Sequence, residues 1–113
     1  MIARNVTKNT LLGDQIVLAH TRREINRGLL GREQLQTGEG MWLNPCGSVH
    51  TFWMKFAIDV VYLSRDMRAL KIVHQMWPWN MSFAPWSSHS TLELPIGTCR
   101  QTGTEVGDRL AIE

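Results

Sequence analysis

Cysteine is scarce: only Cys46 and Cys99 occur in 113 residues. Two thiols allow a single pairing, so the chain has no disulfide framework of the kind that staples small secreted domains. Charge of one sign is lacking too. Lys and Arg number 12 against 10 Asp and Glu, a net charge of +2, which gives no basic footprint for nucleic acid. Long apolar runs are missing, so no segment reads as a membrane span. Residues Met1-Ile2-Ala3-Arg4-Asn5 hold no apolar core of signal-peptide length, and the chain reads as cytoplasmic or already processed. Repeats, linkers and low-complexity stretches are absent, so residues 1–113 read as one domain. With 43% hydrophobic and 19% charged residues, that domain has enough apolar surface to fold around a core.

Strand patterns dominate what is present. Ile2 to Thr7 reads as an edge strand, and Gln15-Ile16-Val17-Leu18-Ala19 as a second strand after the turn pair Gly13-Asp14; together they predict a hairpin. Met41-Trp42-Leu43 reads as a short buried strand. Val49 to Met54 reads as a strand with His50, Phe52 and Met54 on one face and Val49, Thr51 and Trp53 on the other. Ile58 to Leu63 and Ala69 to His74 flank Ser64-Arg65-Asp66-Met67 as a hairpin, apolar on both faces and so central. Trp77 to Ser90 is rich in proline, serine and asparagine and reads as a loop. Thr91 to Leu94 and Arg109 to Ile112 complete about seven short strands. One helix is expected at 21–31, opened by a Thr21/Glu24 capping box and stopped at Gly31, with Ile25 and Leu29 on its buried stripe. Thr98 and Gln101 suggest a second capping box for a helical turn at 98–102. The expected fold class is mainly β (α+β): a small β-barrel or jelly-roll-like sandwich.

Several fragments, taken together, carry a family resemblance. They are Arg27-Gly28-Leu29-Leu30-Gly31-Arg32, Pro45-Cys46, His50-Thr51-Phe52-Trp53-Met54-Lys55, Ile58-Asp59-Val60-Val61-Tyr62-Leu63, Leu92-Glu93-Leu94-Pro95 with Gly97, and Gly107-Asp108. From about Leu18 to Ile112 the chain resembles the prokaryotic family known as domain of unknown function 192. The resemblance implies a small β-barrel or jelly-roll-like sandwich and brings no established activity. Met67 stands where that family usually has a hairpin glycine.

Candidate chemistry concentrates between Cys46 and Lys55, where a thiol, an imidazole, an indole and an ammonium group fall within ten residues. Cys46 and His50 could act as nucleophile and base, which makes a thiol-dependent, hydrolase-like enzyme one reading; the plainer reading of Cys46 is a buried free thiol. Cys46, His50, Asp59, His74 and His89 could ligate a metal, but no C-x-x-C or H-x-x-x-H spacing supports one, and neither metal nor cofactor is expected. Asp59 interrupts an apolar strand and must be paired if buried; Lys55 and Arg68 are possible partners, and hydrogen bonds to backbone amides are the structural alternative. All five tryptophans lie between Trp42 and Trp86. Trp77, Trp79 and Trp86 fall in the loop, where indole faces could cap a barrel end or stack on a ligand. The arginines of the first helix, Arg22, Arg23, Arg27 and Arg32, read as a solvated face. The leading expectation is a non-enzymatic domain that binds a small molecule or protein partner through His50, Trp53, Lys55, Asp59, Trp77 and Trp79. An accessory module of a larger assembly is the remaining alternative.

Overall fold

The computed structural model describes residues 1–113. It contains ten strands and two short helices in the order β1 (Ala3–Asn5), β2 (Thr10–Gly13), β3 (Gln15–Ala19), α1 (Arg22–Arg27), β4 (Glu39–Leu43), β5 (Val49–His50), β6 (Ile58–Leu63), β7 (Ala69–Met76), β8 (Met81–Ser82), β9 (Ser90–Pro95), α2 (Thr98–Gln101) and β10 (Leu110–Ile112). The fold is mainly β and sandwich-like. A five-stranded sheet, ordered β3-β4-β9-β6-β7, is accompanied by the three-stranded sheet β10-β1-β2 and by the two-stranded ribbon β5-β8. No helix is long and apolar enough to cross a membrane.

The central strands β6 and β9 are buried along their whole length, which explains their nearly unbroken apolar sequences. Successive side chains leave opposite faces of the sheet, and each face builds its own core. Val61, Leu63, Leu92 and Leu94 meet Ala3, Leu12 and Leu110 of the three-stranded sheet and Cys99 of α2. Ile58, Val60 and Tyr62 meet Leu29, Val49 and Met54 on the other side. Each fully buried aliphatic side chain contributes roughly 2 kcal/mol by its removal from water, so the alternation along β6 fixes which element packs on which face.

Strand pairing departs from the sequence expectation in three places. Ile2–Thr7 is not an edge and does not pair with Gln15–Ala19; β1 lies between β2 and β10. The strand β2, which pattern reasoning did not find, takes the hairpin position. β3 instead pairs in parallel with β4, Ile16 opposite Gly40 and Leu18 opposite Trp42; a parallel pair needs a crossover connection, and α1 with its following loop supplies it. Gly40 permits the close approach there, since a Cβ would lie 2.8 Å from the Glu93 carbonyl oxygen and 2.8 Å from Ile16 Cδ1. Because β3 and β7 end the large sheet unpaired with one another, the architecture is a sandwich and not a closed barrel.

Helix ends differ in detail. The Thr21/Glu24 capping box is present, Thr21 Oγ1 accepting from the Glu24 amide at 3.1 Å and Glu24 Oε1 accepting from the Thr21 amide at 3.1 Å. The helix stops at Gly28, not Gly31, because Gly28 already adopts φ +51° and returns its N–H to the Glu24 carbonyl. At α2 the second capping box is absent. Thr98 Oγ1 donates to the Pro95 carbonyl at 2.7 Å, and the Cys99 amide is satisfied from outside by Asp59 Oδ2 at 3.0 Å. The predicted β6-β7 hairpin forms, and Met67 in its turn adopts a left-handed conformation, at φ +66°.

Candidate functional site

The expected strand from Val49 to Met54 ends after His50. From Thr51 the chain turns, with the Met54 amide donating to the Thr51 carbonyl at 3.1 Å. Thr51, fully buried, then becomes a clamp. Its hydroxyl donates to the Trp77 carbonyl at 2.6 Å and accepts from the Asn80 amide at 3.0 Å. Its backbone N–H donates to Asn80 O at 2.9 Å, and its carbonyl accepts from the Trp79 amide at 3.0 Å. The segments 51–54 and 77–80 are thereby held together, although they lie far apart in the sequence. The loop between Trp77 and Ser90 also contains β8, paired with β5.

The clamp assembles an aromatic platform. His50 stacks on Phe52 at 4.9 Å between centroids, Phe52 lies 6.1 Å from Trp79, and Trp79 meets Trp53 at 4.9 Å with a 53° tilt. Trp53 and Trp79 remain 70% and 60% exposed. Both have left-handed backbones, at φ +64° and +66°, a conformation that costs a bulky residue on the order of 1 kcal/mol or more. Trp86, at 97% exposure, closes nothing, so the tryptophans do not form a lid over a barrel end.

Behind the platform, α1 and the turn after it roof a cavity of about 280 Å³ on the β4-β9 face of the large sheet. Its apolar wall is formed by Ile25, Leu29, Leu30, Leu43, Val49 and Met54. His50 stands at its boundary with the platform, and Asn26, Arg27, Cys46, Ser48 and Glu93 supply the rest of the polar lining. Glu93 projects from the middle strand of the sheet and is 4% exposed, yet it takes part in no side-chain hydrogen bond or ion pair. Burial pushes its carboxyl up to about 7. The Cys46 thiol is also raised, first by burial and further by the nearby Glu93 charge, against a lowering hydrogen bond from Thr91. A raised thiol is the wrong state for a nucleophile. Cys46 Sγ donates to the Gly47 carbonyl at 3.7 Å and not to His50, so Cys46 and His50 share a cavity without forming a thiol–imidazole pair. Both cysteines are free thiols. No three His, Cys, Asp or Glu side chains converge at metal-ligand spacing.

The residues singled out in the sequence therefore divide. His50, Trp53 and Trp79 share the platform, and Trp77 lies at its clamp. Lys55 does not join them; its ammonium pairs with Glu33 at 2.6 Å on the surface. Asp59 points to the opposite face of the sheet, where neither Lys55 nor Arg68 is its partner. It accepts from the Gln75 amide at 3.0 Å and from the Cys99 amide at 3.0 Å. Sequence reasoning missed Phe52 as a platform ring, Thr51 as the clamp, and Glu93. The clue to Glu93 was visible: Leu92-Glu93-Leu94 sets a carboxylate in an apolar strand just as Ile58-Asp59-Val60 does.

Fold and cavity together define a class: a small β-sandwich with a crossover helix roofing one sheet face. Within that class the chain belongs to the domain of unknown function 192 family, described as "Uncharacterized ACR", whose model matches residues 4–112. A crystal structure of a protein of unknown function from Novosphingobium aromaticivorans DSM 12444 is similar at a TM-score of 0.87 and 21% identity, covering 98% of this chain and 83% of that one. A second, from Sinorhizobium meliloti 1021 and provisionally described as a transcription regulator, is similar at a TM-score of 0.83 and 21% identity, covering 97% of this chain and 91% of that one. At that identity the likeness shows the fold alone. Among curated proteins no relative matches.

Proposed function

We propose that this protein is a non-enzymatic binding domain that takes a small ligand with a flat face on the platform of His50, Phe52, Trp53 and Trp79. The observation that carries the reading is the Trp53–Trp79 pair, 4.9 Å apart, exposed, and held in two left-handed backbone conformations by the Thr51 clamp. Strain of this kind persists where surrounding bonds over-determine it, and it clusters at binding sites. Exposed indoles in a fixed tilt offer stacking area at little further entropic cost. The protonated Cys46 thiol supports binding over thiol chemistry.

The test is a tryptophan-fluorescence titration against nucleosides, free sugars and aromatic amino acids, repeated on Trp53→Ala and Trp79→Ala. The expected result is saturable quenching by at least one planar ligand, lost in both variants, with Tm moving by no more than about 3 °C. A large fall in Tm would make the rings core and remove the site. Quenching that survives both replacements places binding elsewhere, and no quenching by any compound leaves the accessory-module reading in its place.

A further inference from the structure

Three carboxylates are buried in this fold: Asp59, Asp108 and Glu93. Asp59 takes two backbone amides. Asp108 takes Asn5, Lys8 and the Glu105 amide. Glu93 has no hydrogen-bond or ion-pair partner in the protein, and its carboxylate oxygens open onto the cavity rather than being sealed in the core. Its surroundings are also open, since it faces a cavity of about 280 Å³, several times the ~30 Å³ share of a single water and close to the lower end of metabolite-sized pockets.

We propose that this cavity is a receptor site for a small organic cation, whose protonated nitrogen is held by the Glu93 carboxylate while a short hydrocarbon body lies against Ile25, Leu29, Leu43, Val49 and Met54. The lining favours this class, because Glu93 is its one acidic group. An anion is repelled by Glu93, and a metal ion lacks converging ligands. A wholly apolar ligand leaves Glu93 unanswered. The other titratable groups on this side of the sheet do not answer it either. Arg27 of α1 reaches toward Gly31, its Nη2 3.9 Å from the Cβ position there, and forms no ion pair with Glu93. Cys46 keeps its proton, His50 stacks on Phe52, and the Tyr62 hydroxyl of β6 donates to the Ser82 carbonyl at 3.1 Å. Gly28 leaves the roof open above the carboxylate, Glu93 Oε1 lying 3.9 Å from where a Cβ would sit. A cation bound here favours ionised Glu93, so affinity rises as pH is raised through neutrality.

The cavity and the platform meet only at His50, so the two sites can be tested apart. Uniformly ¹⁵N-labelled protein is titrated at pH 8 with n-butylammonium chloride, n-butanol or sodium butyrate, following the amide resonances of Leu29, Leu43 and Glu93. Butylammonium is expected to move them saturably, and the alcohol and carboxylate are not. Glu93→Gln should weaken the response at least tenfold while keeping the native spectrum. Lowering the pH to 5.5 should weaken it similarly in the wild type, and Trp79→Ala should leave it unchanged. The proposal is overturned if butylammonium moves nothing, if butanol is equivalent, if Glu93→Gln binds equally, or if Trp79→Ala abolishes the response. The last outcome would assign the amine to the platform.

Discussion

The two faces of the five-stranded sheet each bury a carboxylate on a central strand, and they treat it in opposite ways. On the face that meets the three-stranded sheet, Asp59 is fully enclosed and each oxygen accepts a backbone amide. One amide opens α2, which has no side-chain cap of its own. The other belongs to Gln75, left-handed at φ +54° beside the β6-β7 register shift. Asp59 therefore ties a helix start and a strand irregularity to the sheet, a structural duty. On the face under α1, Glu93 has similar burial, no partner, and a cavity before it. A carboxylate surrounded by amides belongs to the fold, whereas one left facing open volume is available to a ligand.

Three measurements sharpen or break that contrast. The largest effect is expected at Asp59. Asp59→Ala orphans the buried Cys99 amide and the partly buried Gln75 amide and should cost about 3 kcal/mol or more in urea unfolding; a loss below about 1 kcal/mol would deny Asp59 its structural duty. Next is Glu93. Its folded-state value of about 7 stands above the ordinary carboxyl value of 4.5, so the folded state prefers the protonated form. The stability this lends is full below the unfolded value and is lost as pH rises toward 7. Glu93→Gln removes that slope, so the variant should match the wild type near pH 4.5 and exceed it at pH 8 by roughly 3 kcal/mol. A wild-type stability that stays flat between pH 5 and 8 would show Glu93 to be already partnered. The smallest effect is at Cys46. Iodoacetamide at pH 7.5 should modify it more slowly than a small free thiol, because burial and the Glu93 charge both oppose thiolate formation. Glu93→Gln should raise that rate modestly, and an unchanged rate would remove the electrostatic link between the two groups.

Legibility along the chain followed the range of the interactions involved. β6, β7, β9 and β10 were readable because burial on a sheet imposes apolar patterns over consecutive residues. The start of α1 was readable because a capping box lies within four residues. Its stop was misplaced because Gly28 and Gly31 are equally competent and only the bond from the Gly28 amide to Glu24 chooses between them. The turn at Thr51 was read as strand because its cause, the Asn80 and Trp77 carbonyls, lies more than twenty residues away. The same distance concealed the platform, whose rings come from two segments. Thr98 was read as a cap because nothing nearby announces that Asp59 would supply that acceptor from β6.

Residue order alone determined the β-rich class, the family, the central hairpin and the need for Asp59 to be paired once buried, since each follows from local patterning and the cost of placing charge among apolar neighbours. Tertiary packing alone decided which carboxylate would be satisfied, that β3 would run parallel to β4, and that His50, Phe52, Trp53 and Trp79 would meet while Lys55 would not. Those outcomes depend on hydrogen bonds and cavities between segments distant along the chain, and no local pattern encodes what will be found across such a gap.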